Sequence, residues 1–127
     1  MMRKMVLAKL GIHDQTHSPV IVLKDNDDNS ALQLSIGLME AAYIASGLQQ
    51  VHCSRPVIHD LLTNLFNMLG VTVNWIEIHG LRDNTSCAII DLNVGENRFR
   101  IDSRPSDAIA IALRANSKIY VNKVLLD

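Results

Sequence analysis

The sequence predicts an α+β domain in which a mixed or antiparallel sheet of about six to seven strands packs against three main helices. Short β-rich runs of alternating polarity recur along the chain, and turn residues such as those at 25–30 and 95–97 separate them. Longer segments at 37–49, 56–69 and 105–115 instead have helical spacing or an Ala-rich composition. We expect residues 1–127 to form one domain, because the length supports a single core and no linker interrupts it.

The elements follow from these patterns in chain order. Strands are predicted at 3–12, 19–24, 31–36, 71–81, 86–94, 98–102 and 118–121. The second helix begins at Pro56 and repeats apolar residues every three or four positions until Gly70, a good terminator. The third begins near Pro105 with Ser103 as its expected cap, and its apolar surface on all sides predicts a buried helix. Trp75, in an alternating strand, is expected to pack in the core.

One segment of the chain partly repeats another. Glu40-Ala-Ala-Tyr-Ile-Ala resembles Asp107-Ala-Ile-Ala-Ile-Ala, and each segment begins a helix after a predicted hairpin. This similarity suggests that a strand–strand–helix unit was duplicated. The alternative is that two Ala-rich helices resemble each other by composition alone.

Composition and charge narrow the function classes. A net charge of −1 argues against a general basic nucleic-acid binder, although residues 98–118 carry a local excess of three positive charges. Cys53 and Cys87 are isolated, so neither a zinc array nor a disulfide framework is expected, and a reducing, cytoplasmic setting fits best. No apolar stretch approaches the length of a membrane span, and Lys9 interrupts the N-terminal apolar run too early for a signal peptide.

The stretch RIDSRPSDAIAIAL at 100–113 puts charges at the start of the helix that is predicted to be buried. Asp107 lies near the positive end of the helix dipole and could pair with Arg104, three residues earlier. The structural interpretation is that capping and a salt bridge fix the start of this helix. The functional interpretation is that Asp102, Arg104 and Asp107 face a cleft, where carboxylates hold a divalent metal ion and arginine grips a phosphate.

Two other polar positions lie on the first and second helices. His59 could act as a general base or metal ligand near neutral pH, or His59 and Asp60 could be a surface or hydrogen-bonding pair. Glu40 lies among apolar residues and is expected to need a partner such as Arg55 or Arg104, or to be a helix N-terminal charge.

Three motifs resemble the bifunctional nuclease domain family: IDSRPSDAIAIAL at 101–113, RPVIHDLL at 55–62 and IGLMEAAYIA at 36–45. GLRDNT at 80–85 and PVIVLKD at 19–25 follow in the family's order, so the resemblance covers about residues 5–125. It implies a self-associating domain, with a dimer favoured, and nuclease activity on DNA and RNA as described for plant members. The motif residues that carry over by this resemblance are Glu40, Arg55, Pro56, His59, Asp60, Arg82, Asp83, Asp102, Arg104, Pro105, Ser106 and Asp107. The chain departs from the family's pattern at Gln33, Ser35, Ile58, Asn84, Ser86 and Cys87, which bears on the cleft lining and the oligomer contacts.

The first hypothesis is therefore a metal-assisted phosphodiesterase acting on DNA or RNA. Its expected catalytic residues are His59, Asp60, Asp102 and Asp107; its expected substrate-binding residues are Arg55, Arg104 and Ser106; its expected metal ligands are Glu40, Asp102 and Asp107, with Mg²⁺ or Mn²⁺ as the ion. The second hypothesis is a non-enzymatic oligomeric binding or regulatory module in which the same charges form structural ion pairs. A third is a small-molecule phosphate binder that uses the N-terminus of the third helix. Convergence of the acids and His59 on an accessible concave surface would favour the enzyme, whereas arginine-paired acids in a dry interior would favour the module.

Overall fold

A computed structural model of the protein describes residues 2–25, 27, 29–49, 57–82 and 85–126. Seven strands and three α-helices are formed by these residues, in an α+β arrangement. In chain order the elements are β1 (Met2–Ile12), β2 (Pro19–Lys24), β3 (Ala31–Ser35), α1 (Leu38–Gln49), α2 (Ile58–Leu69), β4 (Val71–Arg82), β5 (Thr85–Val94), β6 (Asn97–Ser103), α3 (Pro105–Ala115) and β7 (Lys118–Asn122). A short 3₁₀ turn, Lys123–Leu125, follows β7.

The seven strands form one mixed sheet in the order β3-β2-β1-β7-β4-β5-β6. Strands β1 to β3 form an antiparallel meander that leads into α1, and β4 to β6 form a second meander that leads into α3. Between them lies β7, antiparallel to β1 and parallel to β4. Moving outward from β7, the strands therefore follow in chain order on both sides: β1, β2 and β3 on one side, and β4, β5 and β6 on the other. This arrangement agrees with the predicted pair of strand–strand–helix units, and a duplication remains the proposed origin.

The three helices pack against one face of the sheet, with α3 in the middle. α3 contacts α1, α2 and the strands β4, β5 and β7. The consecutive residues Ala108 to Ala112 of α3 are at most 2% exposed, and they join Ile44 of α1 and Ile76 and Ile78 of β4 in one core. Small alanine side chains let the neighbouring elements approach α3 closely, so the prediction of a helix buried on nearly all sides is confirmed. No helix in the described ranges combines the length and the apolarity needed to cross a membrane.

The predicted elements agree with the observed ones to within one or two residues at their ends. Gly70 ends α2 in the left-handed conformation, with φ 72°, as its position predicted. The start of the second helix at Pro56 lies outside the described residues. Ser103 does not cap α3, because Arg104 occupies the cap position in an extended conformation and the hydroxyl of Ser103 donates instead to the carbonyl of Arg104 at 3.1 Å.

The face of the sheet that points away from the helices, here called the outer face, carries a network of charged side chains. Trp75 lies on this face rather than in the core, and its indole N–H donates to Glu77 Oε2 at 2.6 Å. Arg100 donates to Glu77 Oε1 at 2.7 Å and to Asp91 Oδ2 at 2.8 Å. Arg98 donates to Asp91 and stacks 5.1 Å from the centre of the Trp75 ring. The expectation that Trp75 packs in the core is therefore wrong, since the strand alternation that it shares with Glu77 places both on the outer face.

Candidate functional site

The N-termini of α1 and α3 meet at a single arginine. Glu40 is the third residue of α1 and Asp107 is the third residue of α3, so the two acids occupy equivalent positions of the two repeated units. The guanidinium of Arg104 lies between them. It donates from Nη1 to Glu40 Oε1 at 3.2 Å, from Nε to Asp107 Oδ2 at 2.9 Å, and from Nη2 to Asp107 Oδ1 at 3.3 Å. Arg104 is therefore held in place by two carboxylates, each near the positive end of a helix dipole.

His59 supports Asp107 from the side of α2. Its Nε2 lies 3.0 Å from Asp107 Oδ1, and its ring packs against Tyr43 with 5.1 Å between the ring centres. His59 is only 4% exposed, and its Nδ1 is buried with no hydrogen-bond partner among the described residues. In the neutral ring, a contact with an ionised carboxylate requires the proton on Nε2. The imidazole therefore fixes the orientation of Asp107 from behind.

The charge of Asp107 depends on its neighbours. Burial by itself would raise the pKa of this carboxyl, but the hydrogen bonds from Arg104 and His59 outweigh burial and hold the pKa below its ordinary value. The hydrogen bonds from Arg104 to Asp107 in turn raise the pKa of the guanidinium. Asp107 is therefore an ionised hydrogen-bond acceptor at neutral pH, and Arg104 is a fixed cation.

A second ion pair joins the three helices behind this cluster. Arg114 of α3 donates from Nε to Asp60 Oδ1 at 2.6 Å, from Nη1 to the carbonyl of Ala110 at 3.0 Å and from Nη2 to the carbonyl of Tyr43 at 2.8 Å. The side chain of Arg114 is 7% exposed, and Asp60 also accepts from the backbone N–H of Val57 at 3.3 Å. Asp60 thus links α2 to α3 and is separate from the Glu40–Arg104–Asp107 cluster.

A cleft of about 630 Å³ opens beside Arg104. It is lined by residues of β3, by residues that lead into and begin α1, by one residue of β5 and by residues at the start of α3. The lining residues are Ser18, Gln33, Leu34, Ser35, Ile36, Gly37, Glu40, Ser86, Arg104, Pro105 and Ser106. Around this cleft the side chains of Arg104, Asp107 and Glu40 are 63%, 30% and 23% exposed. The guanidinium of Arg104 is therefore open to solvent at the cleft, whereas the carboxylates of Glu40 and Asp107 that bind it are partly covered.

The predicted metal ligands do not assemble. Asp102 pairs with Ile89 across β5 and β6, and Arg100 pairs with Asp91 two residues along, so strand alternation puts Asp102 on the outer face. Glu40 and Asp107 remain together, but both face the guanidinium of Arg104. Within the described ranges, no group of three or more His, Cys, Asp or Glu side chains is arranged to hold a metal ion. Because both carboxylates are paired with the cationic guanidinium, this arrangement does not fit a bound Mg²⁺ or Mn²⁺, which would have to displace Arg104 from them.

Comparison with known proteins finds sequence matches over most of this chain. A family model described as the bifunctional nuclease domain matches residues 21–127. The chain belongs to the bifunctional nuclease domain family. It is 35% identical over 117 residues to the uncharacterized protein Rv1829 of Mycobacterium tuberculosis, which covers 91% of this chain and 68% of that protein. It is 31% identical over 118 residues to bifunctional nuclease 2 of Oryza sativa subsp. japonica and 29% identical over 117 residues to bifunctional nuclease 1 of Arabidopsis thaliana.

The chain corresponds to only part of the plant bifunctional nucleases. Each alignment covers 36% of the plant protein, against 90% and 88% of this chain for the rice and Arabidopsis relatives. The chain therefore spans about a third of the length of these plant relatives. Strand β1, all of which precedes the family match, lies near the middle of the sheet between β2 and β7.

The structure brings some of the predicted site residues of this bifunctional nuclease domain together and separates others. Glu40, His59, Arg104 and Asp107 form one cluster, and Ser106, which is 8% exposed, lines the adjoining cleft. Pro105 occupies the first turn of α3 as predicted. Arg55, Pro56 and Asp83 lie outside the described residues, as does the side chain of Arg82.

Two contributors were missed by reasoning from the sequence. Tyr43 packs on His59 and accepts from Arg114, and Arg114 holds Asp60. A signal for Arg114 was present, because it interrupts the apolar run of a helix that was predicted to be buried. Of the departures from the family's pattern, Gln33, Ser35 and Ser86 line this cleft.

Proposed function

We propose that this bifunctional nuclease domain hydrolyses phosphodiester bonds of DNA, RNA or both in the cleft beside Arg104. The observation that carries the proposal is a guanidinium fixed by two carboxylates and still 63% exposed at the cleft mouth. Contacts to Glu40 and Asp107 use three of its five N–H donors. The two remaining donors are free to bind phosphate oxygens, and paired N–H donors of arginine match that geometry well.

We assign roles to the other residues from their exposure. Glu40 lines the cleft, and its carboxylate is the group we assign to accept a proton from an attacking water. Asp107 aims the guanidinium of Arg104, and His59, being buried, acts through Asp107 as a positioning residue. Ser106 offers a hydroxyl to the same cleft. In this arrangement the carboxylates of Glu40 and Asp107 are engaged by Arg104 and not by a metal ion.

The proposal includes nucleic acid as the partner, a cytoplasmic setting, and a single domain that self-associates, with a dimer favoured. Near-neutral net charge provides little long-range attraction for a polyanion, so binding depends on the local cations around α3. Because each phosphate contact releases bound counterions, we expect cleavage to weaken as salt concentration rises.

The test is a cleavage assay on single-stranded and duplex DNA and RNA, with Mg²⁺, Mn²⁺ or chelator present. Arg104→Gln should lower the rate about 100-fold, the usual loss when one charge-stabilising donor is removed from a catalytic site. The matched control is Lys4→Gln, which removes a positive charge from an exposed position in β1, outside the group of cations around α3. It should stay within about twofold of the unaltered chain, since it lies away from the cleft. Cleavage that Arg104→Gln leaves unchanged would contradict the assignment and point to a contaminating nuclease.

The second candidate function is a non-enzymatic binding or regulatory module. The observation that favours it is the degree to which the motif charges are already paired: Arg104 holds both Glu40 and Asp107, and the nearly buried Arg114 holds Asp60. A module of this kind predicts no cleavage by the unaltered chain under any metal condition. It also predicts that Arg104→Gln changes the stability of the fold and nothing else.

A further inference from the structure

Helix α2 leaves a broad apolar surface uncovered. Five of its apolar side chains are between 46% and 82% exposed: Ile58, Leu61, Leu65, Met68 and Leu69. At 100° per residue these five lie within an arc of roughly 100° on one side of the helix. We name this surface the apolar arc of α2.

The apolar arc is distinct from the side of α2 that the domain covers. Leu62 and Phe66 pack on the core, and His59 is buried beside them. The polar residues Asn64 and Asn67 are exposed on the remaining side. The apolar part of the helix is thus about twice as wide as the part that the domain covers, whereas a helix on the surface of a domain needs roughly one 100° stripe. No described element of the chain covers the excess.

We propose that a second copy of this chain covers the apolar arc through a two-fold contact between the α2 helices. The arc carries no charged residue, so two copies can meet without burying an unpaired charge. Its side chains expose roughly 600 Å² on one copy, so they can bury at most about 1,200 Å² in a symmetric contact, which reaches the lower limit of a stable interface. The inference specifies the surface for the proposed self-association and does not depend on cleavage activity.

The contact that fits these residues is antiparallel. In a closed two-fold contact the same patch is used by both copies, so each residue meets a partner in reversed order. With Leu65 near the two-fold axis, Leu61 of one copy lies opposite Leu69 of the other. The His59 clusters of the two copies would then lie at opposite ends of the helix pair.

The experiment measures the mass of the full chain in solution by sedimentation at several protein concentrations. The unaltered chain should sediment as two copies at micromolar concentration. Leu65→Asp should sediment as one copy, with at least a 100-fold loss of association, because it buries two facing carboxylates at the axis. Met68→Lys, at a position that is 82% exposed and so tolerant of change within one copy, should do the same. Asn64→Asp, which adds the same charge outside the arc, should remain a dimer.

The sedimentation results either support or overturn the proposed contact between α2 helices. Loss of the dimer in Leu65→Asp and Met68→Lys, with unchanged circular dichroism and an intact dimer in Asn64→Asp, supports it. An unaltered chain that sediments as one copy overturns it, and the arc would then serve a different partner. A dimer that survives both arc substitutions also overturns it while leaving self-association in place. Cleavage is measured separately on the same preparations, so failure of the proposed nuclease activity is distinguished from failure of the interface.

Discussion

At the scale of single residues, Arg114 does most to hold the candidate site in position. Its three hydrogen bonds reach Asp60 of α2, Ala110 of α3 and the carbonyl of Tyr43 on α1. Tyr43 in turn packs against His59, which anchors Asp107. The geometry of Arg104 at the cleft therefore depends on a nearly buried cation that does not itself face the cleft.

Gly47 of α1 leaves room for Arg114, which yields a stability prediction. A Cβ at this position would lie 2.7 Å from Nη1 and 3.3 Å from Cζ of Arg114. Alanine in a helix gains about 1 kcal/mol over glycine, but displacing a hydrogen-bonded charged group costs about 1.5–3 kcal/mol. We expect Gly47→Ala to lower the free energy of unfolding by about 1 kcal/mol, measured by urea denaturation.

The control for this prediction is Gly80→Ala. A Cβ at Gly80 would meet its nearest neighbour, Val124, at an ordinary contact distance of 3.8 Å. Its unfolding free energy should stay within about 0.5 kcal/mol of the unaltered chain. A stabilised Gly47→Ala would show that Arg114 moves aside without loss.

At the scale of elements, ion pairs stabilise the outer face of β4, β5 and β6, which no described helix covers. Asp91 is fully buried and Glu77 is 8% exposed, although both point away from the helices. The side chains that cover them are Arg98, Arg100 and Trp75. Cross-strand charge pairs thus stabilise this face in the way that apolar packing stabilises the other.

Arg100 is the residue of this network whose loss should cost most. It donates to both Glu77 and Asp91, so Arg100→Ala leaves two buried carboxylates without a shared partner. Removing one partner of a buried ion pair costs about 3 kcal/mol, and we expect a loss of that order in the unfolding free energy. Arg100→Lys keeps the charge but not the paired donors, so urea denaturation should give an intermediate value. Equal losses in both variants would argue that the paired geometry is unimportant.

At the scale of the whole molecule, the same network makes stability depend on acid. Hydrogen bonds from Arg100 lower the pKa of Glu77 from 4.5 to about 2, with Trp75 and His79 adding to the effect against burial. Burial by itself would raise the pKa of Asp91, but its hydrogen bonds from Arg98, Asn74 and Arg100 lower the pKa overall. Both carboxyls therefore bind protons more readily in the unfolded chain than in the folded one.

The sign of the pH dependence follows from these depressed values. The contribution of Glu77 is fully present above pH 4.5 and is lost as pH falls from 4.5 towards 2. A depression of this size corresponds to about 3 kcal/mol in full, and about 2 kcal/mol of it should be lost between pH 7 and pH 3, measured by urea denaturation at pH 7, 4 and 3. Glu77→Gln cannot titrate and should show a shallower decline over the same range. An equally steep decline in Glu77→Gln would assign the acid sensitivity to other carboxyls.

Much of the fold could be predicted because local patterns agree with the tertiary structure. Runs of alternating polarity indicated the seven strands. The long apolar run of α3 indicated that this helix is buried. The site was harder, since side-chain direction in a strand depends on pairing. Asp102 is two residues from Arg104 in the sequence, yet the register of β6 with β5 puts it on the outer face. Trp75 was misassigned for the same reason, because alternation alone does not say which face of a strand the helices cover.

The sequence by itself determined the elements of this protein, the buried central helix and the family to which the chain belongs, because these depend on residue type and spacing. Only the tertiary structure decided which charges meet. Glu40 and Asp107 are 67 positions apart, and they share Arg104 because two meander–helix units place the starts of α1 and α3 side by side. Contacts of this kind depend on which strands pair and how α1 and α3 pack together, and those are properties of the whole chain that no local pattern contains.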